Sequence, residues 1–131
     1  MEERKKTIVA ADDEPNILSA LKEILSEKYF VYTAVDGLEA VKLSLEVRPN
    51  LMLLDVVMPG MGGIEACEII KNNPKTKTIP VIFLTAKAQT DDVEKGFAAG
   101  ADAYVAKPFS AEKLMEKVES VIATAEIRNG L

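Results

Sequence analysis

The chain has no histidine. That absence removes Ser-His-Asp and Cys-His nucleophile pairs, the common zinc ligand sets, and any phosphohistidine carried by the chain itself. Tryptophan is also absent. A single cysteine, Cys67, excludes a disulfide within the chain and fits a reducing cytosol. No apolar run approaches the roughly 18 residues of a membrane span, and no apolar signal region follows Met1-Glu2-Glu3-Arg4-Lys5-Lys6. The expected location is therefore cytoplasmic, away from membranes. A net charge of −5 argues against a broad nucleic-acid footprint, which needs a cationic face. Any metal chemistry must use oxygen ligands.

What remains is ordinary globular material. Apolar residues make up 48% and charged residues 28% of 131 positions, enough for one self-sufficient core. Short apolar runs at 7–11, 31–34, 51–54, 79–84 and 103–106 have strand length. The runs at 51–54 and 81–84 are apolar on consecutive positions, as strands covered on both faces are.

Helical stripes lie between the runs. Ile17, Leu18, Leu21, Ile24 and Leu25 form the first. Ala40, Val41, Ser44 and Leu45 form the second, after an Asp36/Glu39 capping-box variant. Ile64, Cys67 and Ile70 form the third, and Val93, Gly96 and Phe97 a weak fourth. The strongest runs from Leu114 to Ala125 after a Ser110 cap. Residues 72–78 read as a solvated loop, and 127–131 as a fraying end. Alternating strands and helices predict an α/β fold with a parallel sheet covered on both faces.

In such a sheet, ligands bind beyond the carboxyl ends of the strands. The predicted strands end in Asp12-Asp13, Asp55, Thr85 and Lys107. Each has an ordinary reading alone: a helix cap for Asp12 or Asp13, a turn for Asp55, a strand end for Thr85, a solvated loop lysine for Lys107, plain packing for Tyr104. Together they place three carboxylates and one ammonium on one rim, a sum of −2. Like charges that close raise pKa values or recruit a cation. Oxygen-only ligands favour Mg²⁺ or Mn²⁺, whose open positions attract phosphate oxygens. The rim suits a phosphoryl group, with Asp55 as candidate nucleophile.

Four motifs carry a resemblance. They are Ala11-Asp12-Asp13-Glu14; Leu53-Leu54-Asp55-Val56-Val57-Met58-Pro59-Gly60; Val81-Ile82-Phe83-Leu84-Thr85-Ala86; and Gly100-Ala101-Asp102-Ala103-Tyr104-Val105-Ala106-Lys107-Pro108-Phe109. In that order and spacing the chain resembles the receiver domain of two-component response regulators, including single-domain members such as the chemotaxis regulator. The likeness covers about residues 6–125. It implies a flavodoxin-like (βα)5 fold, strand order 2-1-3-4-5, as a single receiver domain over 1–131 with no output domain.

The resemblance also implies roles. Asp55 would accept a phosphoryl group from a histidine kinase or phosphotransfer protein. Asp12, Asp13, Asp55 and the Val57 carbonyl would hold Mg²⁺ or Mn²⁺. Lys107, Thr85 and Ala86 would meet the phosphoryl oxygens. Thr85 and Tyr104 would form the switch, and the Lys107–Pro108 bond would be cis. The surface of residues 91–106 and 110–120 would bind a downstream protein, with no direct DNA contact. The domain would act on itself alone, and so would not be an enzyme in the usual sense.

The sequence departs from the family at several points. Gly62-Gly63 stands where an aspartate usually caps the third helix, which predicts a looser loop. Ala11 is slimmer than the usual aliphatic. Val57 and Lys87 occupy positions that tune hydrolysis in relatives. Ala103 replaces an acid of one dimer face. A haloacid-dehalogenase-type hydrolase would need a second acid where Val57 stands. A flavin binder would need hydroxyls where Asp12-Asp13-Glu14-Pro15 stands. A pseudo-receiver that binds partners without phosphorylation is the other alternative.

Overall fold

The computed structural model describes residues 5–86 and 90–130. Five strands alternate with five helices. They are β1 (Lys6–Ala11), α1 (Pro15–Leu25), β2 (Tyr29–Ala34), α2 (Gly37–Val47), β3 (Leu51–Asp55), α3 (Gly63–Asn72), β4 (Val81–Thr85), α4 (Thr90–Ala98), β5 (Ala103–Ala106) and α5 (Ala111–Arg128). All strand pairs are parallel, in the order β2-β1-β3-β4-β5. This is the predicted flavodoxin-like arrangement.

Strand periodicity sorts the core into two halves. Val9, Ala11, Met52, Leu54, Val81 and Phe83 point to the face covered by Ala40 of α2 and by Ala66, Cys67 and Ile70 of α3. Ile8, Ala10, Leu51, Leu53, Ile82 and Leu84 point to the other, under Leu21 and Leu25 of α1 and Leu114, Val118 and Ile122 of α5. β3 and β4 are buried along their whole length. Each fully buried aliphatic or Phe side chain contributes about 1.5–3 kcal/mol, so the central strands are the most firmly held part of the rim.

The helix starts at Asp36 and Ser110 are as read. Asp36 accepts from the Glu39 N–H at 2.8 Å, and Ser110 from the Lys113 N–H at 3.1 Å. Other expectations need correction. β4 begins at Val81 rather than Ile79, because Pro80 has no N–H for the ladder and offers only its carbonyl, to Met52. β2 begins at Tyr29, extended by pairing with Lys6 and Thr7. The 72–78 segment is not simply solvated: Thr76 is buried and its hydroxyl donates to the Ile70 carbonyl at 2.7 Å. Helix α5 stays intact to Arg128, whose guanidinium donates to Asp102 at 2.8 Å.

α4 is held differently from the other helices. Of its residues with described side chains, Gly96 alone is buried, and Phe97 is half exposed. Its neighbours Phe83 and Tyr104 come from the sheet.

Candidate functional site

Strand register decides which end groups meet. Ala11 pairs with Leu54, so the next residues, Asp12 and Asp55, end adjacent strands side by side. Asp55 pairs with Leu84, and Thr85 with Ala106, which brings Thr85 and Lys107 to the same rim. One carboxylate oxygen from each of Asp12, Asp13 and Asp55 lies within 4.8 Å of the others. Asp12 is fully buried, Asp55 nearly so, and Asp13 exposed. The cluster therefore opens to solvent on the Asp13 side.

Lys107 reaches this cluster from β5. Its Nζ donates to Asp12 Oδ2 at 2.7 Å and to Asp55 Oδ2 at 3.3 Å. The backbone fixes its root, since the Lys107 N–H donates to the Thr85 carbonyl at 2.7 Å. The Lys107–Pro108 peptide bond is cis. The capping and site readings of Asp12 are compatible. Its Oδ1 accepts from the Glu14 N–H at 2.9 Å and turns the chain into α1, while Oδ2 faces Lys107. Glu14, the residue at the cap position, makes no side-chain cap bond.

The electrostatics match the charge count. Burial, and then the charge of Asp12, pushes the Asp55 carboxyl above the usual carboxylate range; Lys107 and the Val57 N–H oppose this without cancelling it. Burial pulls the Lys107 ammonium down, but the hydrogen bond to Asp12 and the charges of both aspartates outweigh it, and its pKa is raised. Among the described residues, one ammonium, that of Lys107, bridges two of the three acids, Asp12 and Asp55. An all-oxygen donor set with a net deficit of charge fits a hard divalent ion. Asp12, Asp13 and Asp55 are the side chains that could hold it.

Of the remaining predicted residues, Thr85 ends β4, Ala86 follows it, Val57 lies two positions beyond Asp55, and Tyr104 lies within β5 opposite Phe83. Thr85 is buried at the end of β4 and Ala86 beside it is exposed. The Val57 N–H donates to Asp55 Oδ1 at 3.3 Å, while its side chain is 74% exposed. The position where a dehalogenase-type hydrolase needs its second acid thus carries a solvent-facing isopropyl group. Tyr104 lies between Phe83 and Phe97, at ring-centroid distances of 5.5 and 5.0 Å, and its hydroxyl donates to the Val93 carbonyl at 2.9 Å. Lys87 and the side chains of Asp91 and Asp92, within the expected partner surface, lie outside the described residues.

Two glycines matter more than the sequence reading allowed. Gly62 stands at the cap of α3, and Gly63 opens the helix. A Cβ there would lie 2.1 Å from the Asp55 carbonyl oxygen, and its N–H donates to Val56 at 3.0 Å. The start of α3 is pressed against the backbone of Asp55, and only glycine permits that approach. Gly96 has a comparable role beneath Tyr104. The available signal was its place inside a helix, where glycine costs about 0.8–1 kcal/mol relative to alanine and needs a packing reason.

Comparison with known proteins agrees with this geometry. The family model for the response regulator receiver domain matches residues 8–119. The DNA-binding response regulator MtrA of Mycolicibacterium smegmatis is 36% identical over 121 residues, which are 92% of this chain and 52% of that protein. The chain spans about half or less of the length of the first curated relatives it matches. A CheY-like receiver domain protein from Methanospirillum hungatei superposes with a TM-score of 0.89 at 30% identity, covering 95% of this chain and 99% of that one. The receiver domain of the sensor histidine kinase PA1611 from Pseudomonas aeruginosa, with a magnesium ion in its active-site cleft, gives 0.85 at 28% identity, covering 92% and 99%.

Proposed function

The chain belongs to the response regulator receiver domain family, and on that premise we propose that it accepts a phosphoryl group on Asp55 and converts it into a change of protein partner. The donor would be a phosphohistidine on a histidine kinase or phosphotransfer protein, since this chain has no histidine of its own. The observation that carries the reading is the carboxylate cluster at three strand ends, with Lys107 bridging Asp12 and Asp55.

An Asp55 carboxylate oxygen would attack phosphorus in line. An acyl phosphate P–O bond forms as the donor's P–N bond breaks, and the departing imidazole takes up a proton. Positioning and charge neutralisation do most of this work, so no acid–base residue is required. Asp12, Asp13, Asp55 and the Val57 carbonyl would hold Mg²⁺ or Mn²⁺. When bound, that ion supplies positive charge for the carboxylates and the incoming phosphoryl oxygens. Lys107 would shift from its aspartate partners toward the phosphoryl group, which carries roughly −2. With ion and lysine together the rim sums to about −1, against −2 for the rim without the ion or the phosphoryl group. Thr85 and the backbone of Ala86 would hydrogen-bond the remaining oxygens. The domain would catalyse its own phosphorylation and dephosphorylation, and no other reaction.

The output would pass through Thr85 and Tyr104 to the face made by α4, β5 and α5. Tyr104, Phe109, Lys113 and Lys117 line a groove of about 450 Å³ there, and this is where a downstream protein would dock. Among the described residues no helix is long and apolar enough to cross a membrane, and we place the reaction in the cytoplasm. Incubation with acetyl phosphate and Mg²⁺, followed by intact-mass measurement, tests the reading. One phosphoryl group should appear on the wild type and none on Asp55→Ala. A wild type that stays unmodified while its fold is intact would leave only a non-phosphorylated binding module.

A further inference from the structure

Gly96 is the one buried residue of α4 with a described environment, and what buries it is chiefly Tyr104. A Cβ added at position 96 would lie 1.7 Å from the Tyr104 hydroxyl, 2.8 Å from Tyr104 Cζ and 2.8 Å from Phe83 Cε2. Tyr104 therefore does not merely pack near α4. Its hydroxyl occupies the volume that any other residue at 96 would fill with its own side chain. From that position it donates to the Val93 carbonyl, one turn earlier on the same helix, at 2.9 Å.

The surroundings select this placement. Phe83, fully buried on β4, closes one side of the ring, and Phe97 meets it edge-on from α4. The hydroxyl is satisfied by a helix carbonyl, so the phenol keeps its hydrogen bond while half-buried. A helix interior is an unfavourable place for glycine unless something needs the space. Here the tyrosine hydroxyl needs it.

We propose that Gly96 is the positioning residue of Tyr104. The missing side chain is the seat that holds the ring against α4, and it sets how far Tyr104 populates that inward position before any phosphorylation. The regulatory consequence rests on the function proposed above. If phosphorylation at Asp55 works through an inward Tyr104, a side chain at 96 keeps the α4–β5–α5 face in the other arrangement whatever happens at Asp55.

The test uses the full chain with ring-labelled tyrosine and NMR. There are three tyrosines, and Tyr104→Phe identifies the signal of interest. In Gly96→Ala, the Tyr104 ring resonances should leave their wild-type position and move toward random-coil values. Thermal stability supplies an independent sign. Gly96→Ala should lower Tm in the Tyr104 background. It should raise Tm in a Tyr104→Ala background, where Phe83 gains room to relax and only helix propensity remains. An unmoved Tyr104 signal, or the same loss of Tm in both backgrounds, would overturn the seat.

Beryllofluoride with Mg²⁺ then separates this inference from the reading beneath it. A Tyr104 response in the wild type that Gly96→Ala abolishes supports the regulatory role. An equal response in both proteins refutes that role and leaves the phosphoacceptor reading intact. A wild type whose Tyr104 does not respond refutes the phosphorylation switch, while the metal-free comparison still decides the seat.

Discussion

Lys107 donates to Asp12 across 2.7 Å, although 95 positions separate them in the chain. Asp12 is fully buried, so this ammonium is the counter-charge that makes a carboxylate at the end of β1 tolerable. The same group lies 3.3 Å from Asp55. The resting site thus uses its lysine as an internal cation, shared between an acid that stays and an acid that would react.

Removing that cation should be costly for the fold and favourable for metal. Breaking a buried ion pair by deleting one partner costs about 3–5 kcal/mol. Solvent on the Asp13 side should place Lys107→Met at the lower end. The uncompensated carboxylates should meanwhile bind Mg²⁺ several-fold more tightly. Urea unfolding and isothermal titration with Mg²⁺ measure the two effects, and unchanged values in both would show that the bridge carries no charge coupling.

Asp55 should destabilise the metal-free protein at neutral pH. Its pKa is raised in the fold, so the stability linked to it is fully present below the ordinary carboxylate range and lost as pH rises through the raised value. Asp55→Asn should therefore raise Tm at pH 7 without metal, with about 4 °C corresponding to 1 kcal/mol in a domain of this size. Mg²⁺ should raise Tm of the wild type more than that of Asp55→Asn or Asp13→Asn. Differential scanning fluorimetry with Mg²⁺ and with chelator checks both signs.

Cys67 gives a second pH dependence, at the alkaline end. Burial pushes its thiol from 9.0 up to about 11, and its Sγ donates to the Ala99 carbonyl at 3.5 Å. The protonated thiol is the form the fold accepts. Stability linked to it is complete below pH 9 and lost as pH rises toward 11. At about 1.36 kcal/mol per unit, the loss is on the order of 2–3 kcal/mol. Urea midpoints at pH 8 and pH 10.5 should diverge more for the wild type than for Cys67→Ala.

Gly63→Ala should damage the site through the backbone. The added carbon would meet the Asp55 carbonyl oxygen at 2.1 Å, and overpacking of this kind costs about 1–3 kcal/mol. Gly60 is a useful contrast. It has a φ of +69° and nothing within 4 Å of an added Cβ, so Gly60→Ala should cost about 1–2 kcal/mol of backbone strain alone. Phosphorylation by acetyl phosphate should slow sharply in the first variant and little in the second.

Val57 should lengthen the life of a phosphoryl group on Asp55. Its side chain is exposed at the rim and has no polar atom to orient an attacking water. Val57→Asn should speed loss of the phosphoryl group several-fold, followed by intact mass over time. An unchanged rate would assign water positioning to other groups.

Much of this protein was written locally. The apolar runs of β3 and β4, the caps at Asp36 and Ser110, and the order of polar residues at strand ends depend on neighbours a few positions away, and a linear reading reaches them. The absence of histidine limited the chemistry to carboxylate oxygens and a lysine in the same direct way. Pro80 could also have been read: a residue without an N–H cannot lie within a central ladder, and β4 begins after it.

Other features required the chain to meet itself. Thr76 looks like a loop hydroxyl until α3 supplies the Ile70 carbonyl. Asp102 looks like a loop acid until Arg128, Lys71 and the Val81 N–H converge on it from three elements. Gly63 and Gly96 carry no side chain to mark them, and their meaning lies in whose atoms fill the space they leave. Composition and periodicity determined a covered parallel sheet with an acidic rim. Only register and packing decided that Asp12 and Asp55 share one ammonium and that Tyr104 rests on a glycine. Those are distances between residues far apart in sequence, set by pairing and shape rather than by any local pattern.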